Sequence, residues 1–253
     1  MTHSILIIGQ SNMAGRGILA DAPKLDTNGG KLKVLRNGRW QTMFRPVNFD
    51  RLFSGTSLVE SFAKEYSLDH PDVDVGVIPC ADGGTMLNQW AVGGLLFTNA
   101  VNCAKLALRT SHLVAILWHQ GESDCAEHLY PHYLEKLTKI MTALRHELGA
   151  EDVPIIVGGL GDFIVKYKDD PALENYKKIN KSLVTFAKTA HRAAFASAEG
   201  LTPNPDNLHF NRESLHEFGL RYYEAFKAVE DKERVFAEID CTDGKALSKM
   251  EKL

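Results

Sequence analysis

Short apolar runs alternate along the chain with longer stretches whose apolar side chains recur on one face of a helix. The runs with a strand-like pattern are 4–8, 73–79, 113–118, 153–157 and 193–198. The stretches with helical spacing are 56–67, 95–110, 130–148, 175–192 and 214–229. A strand that is apolar throughout is typical of a sheet buried on both faces. The alternation therefore predicts an α/β fold, with a parallel sheet of about five strands between helices on both faces.

No repeat, low-complexity segment or linker interrupts this pattern, so we expect a single domain over residues 1–253. Residues 18–54, between the first strand and the first long helix, have no regular period and are predicted to be irregular. Irregular segments of this length are uncommon in compact domains and are often functional, which makes this one a candidate wall of a substrate site. A structured surface insertion is the alternative. The charged tail at residues 230–253 has no assigned role.

Polar or glycine-rich segments follow three of the predicted strands. Ser11 stands in the turn after the first strand, between Gly9 and Gly17, and residues 80–85 and 119–124 follow the second and third strands. A fourth polar segment, beyond the last strand, holds Asp206 and His209 three residues apart. Parallel strands present their carboxyl ends at one edge of a sheet, where ligands bind. We therefore expect the four segments to meet at that edge.

Ser11, His209 and Asp206 are the residue types that acyl transfer by a serine requires. A serine hydroxyl is a weak nucleophile at neutral pH and needs an adjacent base, a role that suits His209. Asp206 is then expected to hold the other ring nitrogen and to stabilise the imidazolium. Each of these residues has a common structural alternative: a glycine-rich turn often binds phosphate, and an Asp-x-x-His pair often lies on the surface.

The tetrahedral intermediate of acyl transfer carries an oxyanion that needs hydrogen-bond donors already in place. The backbone amide of Ser11 is the first candidate donor. A second is the amide of Gly83 or Gly84, because glycine lets the backbone approach a substrate closely. The side-chain amide of Gln120 is the third candidate.

Several side chains next to these segments are candidates for binding substrate or for supporting the site: Gln10, Asn12, Arg16, Gly83, Trp90 and Glu122. Asn12 is expected to cap a helix that starts at the turn. Glu122 is expected to accept hydrogen bonds from Arg16 or from turn amides, although its carboxylate also suits substrate or a cation. Trp90 and Trp40 either stack on a sugar ring or belong to the core.

Charge and cysteine content exclude several classes of function. Lysine and arginine number 29 against 32 aspartate and glutamate residues, so the formal net charge is −3 and no basic excess exists to bind nucleic acid. The four cysteines lack metal-type or redox-type spacing, so we expect no metal and no cofactor. No apolar run approaches the ~18 residues that span a bilayer, and no signal-peptide pattern is present. We expect a cytoplasmic protein that has no membrane partner.

The segments 9–17, 82–85, 118–124 and 206–210 together resemble the SGNH-hydrolase superfamily. More narrowly, they resemble its carbohydrate esterase branch, which includes acetylxylan esterases and sialate O-acetylesterases. The resemblance extends from residue 5 to about residue 226, and its most specific strings are Gly-Gln-Ser-Asn-Met and His-Gln-Gly-Glu-Ser-Asp. It implies a flavodoxin-like three-layer α/β/α sandwich and metal-free removal of acetyl groups from sugars.

The resemblance also implies roles for individual residues. Ser11 matches the nucleophile, and Asp206 with His209 matches the acid and base block. Gly84 matches the oxyanion glycine, with Gly83 leaving the register open by one residue. Gln120 stands where the wider superfamily has asparagine. Glutamine at this position departs from the superfamily pattern but not from that of the carbohydrate esterase branch.

These observations predict a serine esterase that deacetylates a carbohydrate through an acetyl-Ser11 intermediate, with an acetylated sugar or oligosaccharide as its partner. Two alternatives stay open. One is a lipid or thioester hydrolase, or an acyltransferase, that uses the same site. The other is a non-catalytic carbohydrate-binding protein. The sequence does not specify the sugar, the acetyl position or the oligomeric state, because substrate choice depends on loop geometry.

Overall fold

The computed structural model describes residues 1–241, with side chains through residue 230; residues 242–253 of the predicted charged tail lie outside the described part. A seven-stranded sheet forms the centre of that part. Its strands in chain order are Thr2–Gly9 (β1), Leu32–Arg36 (β2), Arg39–Thr42 (β3), Asp74–Pro79 (β4), Ser111–His119 (β5), Ile155–Gly158 (β6) and Ala193–Ala196 (β7).

The strands lie in the order β3-β2-β4-β1-β5-β6-β7. All neighbours are parallel except the β2–β3 pair, which is antiparallel. The five strands predicted from the sequence occupy the flavodoxin-like order, with the second strand beside the first and the third on its other side. β2, β3 and β4 lie on one side of β1, and β5, β6 and β7 lie on the other, so the topological switch point is between β1 and β5. In sheets of this kind the ligand crevice lies at that point, at the carboxyl edge. The predicted α/β class and sheet topology are confirmed.

Helices cover both faces of the sheet. The α-helices are Ser11–Ala14 (α1), Val59–Asp69 (α2), Leu95–Ala107 (α3), Tyr133–Leu148 (α4), Tyr176–Thr189 (α5) and Arg212–Cys241 (α6), and short 3-10 helices occupy Leu87–Trp90, Glu122–Asp124, Tyr130–His132, Asp162–Lys166 and Pro171–Asn175. Helix α2 packs on α6, with Phe62 against Tyr223 and Phe226. Helices α3, α4 and α5 pack side by side as the other layer. No helix among the described residues is both long enough and apolar enough to cross a bilayer.

Residues 18–54 contain two strands that the sequence analysis did not predict, so the sheet has seven strands rather than about five. β2 and β3 form a hairpin whose turn is Asn37-Gly38, and both residues have positive φ, 50° and 72°. Asn-Gly favours this turn because both of its central positions require the left-handed region. β3 lies at the edge of the sheet and is mostly exposed, so it carries little of the apolar pattern on which the strand predictions relied.

The ends of β1 and β5 are joined where the crevice opens. The Gln10 backbone N–H donates to the His119 carbonyl oxygen at 2.8 Å. Gly9 has a φ of 127°, and a Cβ on it would lie 2.1 Å from the same carbonyl oxygen, so no other residue fits there without a shift of the backbone. This close contact fixes the turn that carries Ser11 directly against the turn that follows β5.

Candidate active site

Ser11, His209 and Asp206 form one continuous chain of hydrogen bonds at the carboxyl edge of the sheet. Ser11 begins α1, directly after β1, and its Oγ lies 3.0 Å from His209 Nε2. His209 Nδ1 lies 2.6 Å from Asp206 Oδ2. The structure thus brings together three side chains that span almost 200 positions of the chain, in the order nucleophile, base and carboxylate that serine acyl transfer uses.

The loop that carries the histidine is shaped by the Asp206 carboxylate itself. Asp206 Oδ1 accepts hydrogen bonds from the backbone N–H groups of Leu208 at 2.9 Å and His209 at 3.0 Å. Partial burial raises the pKa of Asp206, but these two backbone donors and the imidazole outweigh burial and leave the pKa below its usual range. Asp206 is therefore ionised at neutral pH, in the form that accepts the Nδ1 proton of His209.

Asn12 joins the turn after β1 to the histidine loop. Its Oδ1 accepts from the Phe210 backbone N–H at 3.0 Å, and its Nδ2 donates to the Leu208 carbonyl at 3.3 Å. Nδ2 also donates to Glu122 Oε1 at 2.6 Å. Asn12 therefore holds the two residues that flank His209, whereas the sequence analysis expected it to cap a helix. The hydrogen-bond partners of its side chain lie across the crevice and not in the first turn of α1.

Arg16 pairs with Asp50 and not with Glu122, contrary to one of the expectations from sequence. Its two terminal nitrogens donate to the two oxygens of Asp50 at 2.9 and 2.6 Å, and both side chains are buried. Burial raises the pKa of Asp50, but the guanidinium and other donors outweigh burial and lower the pKa overall. Asp50 Oδ2 also accepts from the Gly83 backbone N–H at 2.8 Å.

The engaged amide of Gly83 separates two candidate donors that the sequence left in doubt. Gly83 N–H is directed to Asp50, whereas no hydrogen bond within the described part of the chain uses the N–H of Gly84. Gly84 has a φ of 76°, and a Cβ there would meet nothing within 4 Å, so its backbone faces open space. Both Gly84 and Ser11 line the cavity in front of the nucleophile. Gly84 therefore has the unoccupied backbone donor of the pair.

Gln120 is not placed as the expected oxyanion donor. The residue is fully buried, and its Nε2 donates to the Thr85 carbonyl at 3.1 Å and to Asp124 Oδ2 at 2.5 Å. Both amide protons are thus bound inside the protein, and Gln120 does not line the cavity. Gln10 does line it, with its Oε1 accepting from the Gly121 backbone N–H at 3.3 Å. The carboxamide that faces the cavity belongs to Gln10.

The two tryptophans considered for sugar stacking lie elsewhere. Trp90 is 1% exposed, packs edge-on against Trp118, and donates from Nε1 to Thr85 Oγ1 at 3.1 Å. Trp40 lies on the edge strand β3 and donates to Thr110 Oγ1. Neither tryptophan lines the cavity. Trp90 belongs to the core, where its indole N–H finds an internal partner.

The cavity in front of Ser11 has a volume of about 420 Å³, within the usual range for small-molecule sites. It is bounded by side chains that the sequence analysis did not identify, namely Arg51, Phe53, Ser123, Tyr167, Asp170, Leu173 and Leu208. Two of them, Arg51 and Phe53, come from residues 18–54, the segment considered as a candidate wall. Arg51 donates to Asp82 Oδ1 and to the Gly83 carbonyl, each at 2.8 Å, so it also braces the glycine turn.

The remaining candidate metal or redox side chains include two small groups: Cys80 and Cys103 lie within side-chain hydrogen-bond reach, and the His3 ring lies 6.1 and 6.2 Å from the rings of His70 and His112. Among the residues whose side chains are described, no group of three or more His, Cys, Asp or Glu is arranged to hold a metal ion. Cys80 and Cys125 are buried and Cys103 is partly exposed; Cys241 lies outside the described side chains. His119 is fully buried and packs edge-on against Phe210 and Phe218.

Comparison with known proteins identifies the family. Residues 1–228 match the model of the family described as "Carbohydrate esterase, sialic acid-specific acetylesterase", so the chain belongs to this family. A probable carbohydrate esterase of Arabidopsis thaliana is 27% identical over 244 residues, which cover 87% of this chain and 88% of the relative. The protein is therefore a carbohydrate esterase, a carboxylic-ester hydrolase, as predicted.

Solved structures share the fold. The X-ray structure of an Arabidopsis thaliana protein has a TM-score of 0.78 and 25% identity, covering 89% of this chain and 98% of that one. NanS has a TM-score of 0.70 at 15% identity, covering 92% and 98%. A carbohydrate acetylesterase from Xanthomonas citri has a TM-score of 0.65 at 19% identity, covering 90% of this chain and 56% of its own.

Proposed function

We propose that this carbohydrate esterase removes O-acetyl groups from an acetylated sugar through a covalent acetyl-Ser11 intermediate. The observation that carries the proposal is the hydrogen-bonded chain from Ser11 Oγ through His209 to Asp206. Acetyl as the acyl group is supported by the description of the family and by the name of the Xanthomonas citri structure. The cavity of about 420 Å³ leaves room for a sugar in front of the serine.

In the first half of the reaction, His209 Nε2 takes the proton of Ser11 Oγ as that oxygen attacks the acetyl carbonyl. The resulting oxyanion is held by the backbone N–H groups of Ser11 and Gly84. Collapse of the tetrahedral intermediate breaks the bond to the sugar oxygen, which leaves with the proton from His209. Asp206, kept ionised by its backbone donors, stabilises the imidazolium that forms between these steps.

In the second half, water takes the place of the sugar. His209 accepts a proton from that water as the water oxygen attacks the acetyl carbonyl. His209 then returns the proton to Ser11 Oγ as acetate leaves. Arg16 and Asp50 support both halves, because the ion pair fixes the Gly83 amide and so the position of its neighbour Gly84. Gln10 and Glu122 line the same cavity and are proposed to contact the sugar or to support the site.

A serine-directed organophosphonate tests the nucleophile directly. We expect one adduct per chain, located on the peptide that contains Ser11, with acetate release from acetylated sugars lost in parallel. Ser123 lines the same cavity and is the matched control, so the Ser123→Ala variant should still take up the label at Ser11. Either of two results would refute the proposed nucleophile: an adduct on Ser123, or loss of activity after organophosphonate treatment with no adduct on Ser11.

Asn12→Ala is expected to lower kcat about 10- to 100-fold with little change in KM. The substitution removes the contacts that hold Leu208 and Phe210 on either side of His209, and small displacements of a catalytic group are costly. The rate of organophosphonate labelling should fall by the same factor. Steady-state kinetics and labelling rates measure the effect.

Asn180→Ala is the matched control, because Asn180 also uses both ends of its amide to hold a backbone segment, at Leu160. The two variants should lose similar unfolding temperature, while only Asn12→Ala loses kcat and labelling rate. Equal kinetics in both variants would show that Asn12 contributes to stability alone.

A further inference from the structure

A second cavity of about 580 Å³ lies against the other side of the candidate catalytic residues. It shares Arg16, Phe53 and His209 with the cavity in front of Ser11, and it also reaches Asp206. Its remaining lining is mainly apolar and comes from residues 17–19, 52–55 and 204–205. The two cavities are therefore adjacent, with these shared residues as their common border.

Large apolar side chains at this cavity are exposed to a degree that is unusual for their type. Leu52 is 94% exposed, Phe53 69% and Ile18 53%, and Leu19 is 40% exposed beside them. Contiguous apolar patches on a soluble protein mark binding surfaces more often than single exposed residues do. We call these four residues the apolar rim.

The loops that carry the apolar rim are anchored, so the exposure belongs to an ordered surface. Gly17 and Thr56 exchange two backbone hydrogen bonds, of 3.2 and 2.9 Å. The Ser54 hydroxyl donates to Asp50 Oδ1 at 2.8 Å, and its Oγ accepts from the Arg51 backbone N–H at 3.1 Å. The apolar side chains are thus presented by backbone that is tied to the same Asp50 as the glycine turn.

Most polar side-chain groups of the second cavity are already paired, with Arg16 Nε as an exception. Arg16 is bound to Asp50, and Asp206 is bound to His209. Asn204 Nδ2 donates to the Arg16 carbonyl at 2.9 Å. Because few polar groups remain free, the cavity suits an apolar group better than a second sugar ring, whose hydroxyls would lose hydrogen bonds to water.

We propose that the second cavity binds an apolar aglycone, an aryl or alkyl group attached to the acetylated sugar that occupies the first cavity. This inference rests on the proposed function and deepens it, because it names the class of substrate as an acetylated glycoside with an apolar aglycone. Because Phe53 and His209 border both cavities, a molecule that spans them would have its acetylated sugar in front of Ser11 and its aglycone beside the apolar rim. Its aglycone would cover the apolar rim.

The test compares acetate release from methyl and phenyl peracetylated β-glucopyranosides. The parent enzyme should have a kcat/KM about tenfold higher for the phenyl glycoside, because burial of a phenyl group on the apolar rim adds binding free energy. Leu52→Ser should reduce that ratio to about one. Leu52 is nearly fully exposed, so the variant retains the fold. Leu68→Ser, which changes a half-exposed leucine at the end of α2, is the control and should keep the parent ratio.

A binding measurement separates failure of this inference from failure of the proposed function. Calorimetry with Ser11→Ala should show about tenfold tighter binding of the phenyl than of the methyl glycoside. If the parent releases no acetate but the variant keeps this preference, the esterase mechanism fails and the apolar subsite stands. If both glycosides are deacetylated with equal efficiency, the function stands and the subsite is refuted. Sedimentation with phosphatidylcholine vesicles that depends on Leu52, without a phenyl preference, would likewise refute it in favour of a membrane surface.

Discussion

Ser11→Ala should lower kcat about 100,000-fold while the protein stays folded. The substitution removes the attacking oxygen, and the residual rate then depends on the oxyanion donors and on substrate binding alone. Ser11 is almost fully buried at the start of α1, and its hydroxyl has one side-chain partner, His209 Nε2 at 3.0 Å. Loss of the hydroxyl therefore costs the fold little. Acetate release under single-turnover and steady-state conditions measures the effect.

His209→Ala provides the companion measurement, because groups that act as one unit lose activity non-additively. The double variant Ser11→Ala, His209→Ala should be no slower than the slower of the two single variants. Thermal unfolding of all three variants controls for damage to the fold. A Ser11→Ala variant within tenfold of the parent would remove the serine from the mechanism, and a strictly additive double variant would show that the two residues act separately.

The parts of the site that follow from short segments were predictable from sequence. Ser11 lies after a strand whose four consecutive apolar residues, 5–8, indicate a buried position, and the carboxyl ends of parallel strands lie at one edge of the sheet. Asp206 and His209 lie three residues apart, a spacing at which one carboxylate reaches both the backbone and the ring of the histidine. The structure brings the three residues together at that edge.

The supporting contacts were not predictable, because they depend on which side chains meet across long separations in sequence. Arg16 pairs with Asp50 rather than with Glu122, and the Asn12 side chain binds the loop that carries His209 rather than capping a helix. Gln120 has the side-chain amide that an oxyanion donor needs, but that amide donates to Asp124, four residues later in the chain. A sequence pattern gives the residue type at a strand end, whereas the rotamer is decided by the nearest buried acceptor.

The hairpin in residues 18–54 shows where periodicity fails. β2 is short and β3 is an exposed edge strand, so neither presents the continuous apolar run that marked the other strands. The Asn37-Gly38 turn was the stronger local signal, because its two positive φ values suit few other residue pairs. Turn chemistry would have identified this hairpin where hydrophobic pattern did not.

Asp206→Asn should lower kcat about 10,000-fold and leave the fold in place. The amide cannot stabilise the imidazolium as a carboxylate does, and its NH₂ group favours the wrong tautomer of His209. The isosteric change retains a side-chain oxygen for the backbone N–H groups of Leu208 and His209, so the loop should keep its shape. Steady-state kinetics measures the loss, and an Asp206→Asn variant as active as the parent would exclude this carboxylate from catalysis.

The pH dependence gives this prediction a second readout. The pKa of Asp206 lies below its usual range, so the carboxylate persists into mild acid, and its protonation is not the step that limits activity near neutrality. Protonation of Asp206 should therefore leave the parent kcat/KM unchanged at neutral pH, and any loss of kcat/KM that it causes should be confined to the acid range. A depressed pKa also means that Asp206 stabilises the fold above the pKa of the unfolded chain, and that this contribution is lost as pH falls through the folded-state pKa. The unfolding temperatures of the parent and of Asp206→Asn should accordingly differ at neutral pH and become equal in acid. Their kcat values should differ about 10,000-fold at neutral pH. Equal kcat values at neutral pH, together with equal unfolding temperatures in acid, would show that Asp206 has a structural role alone.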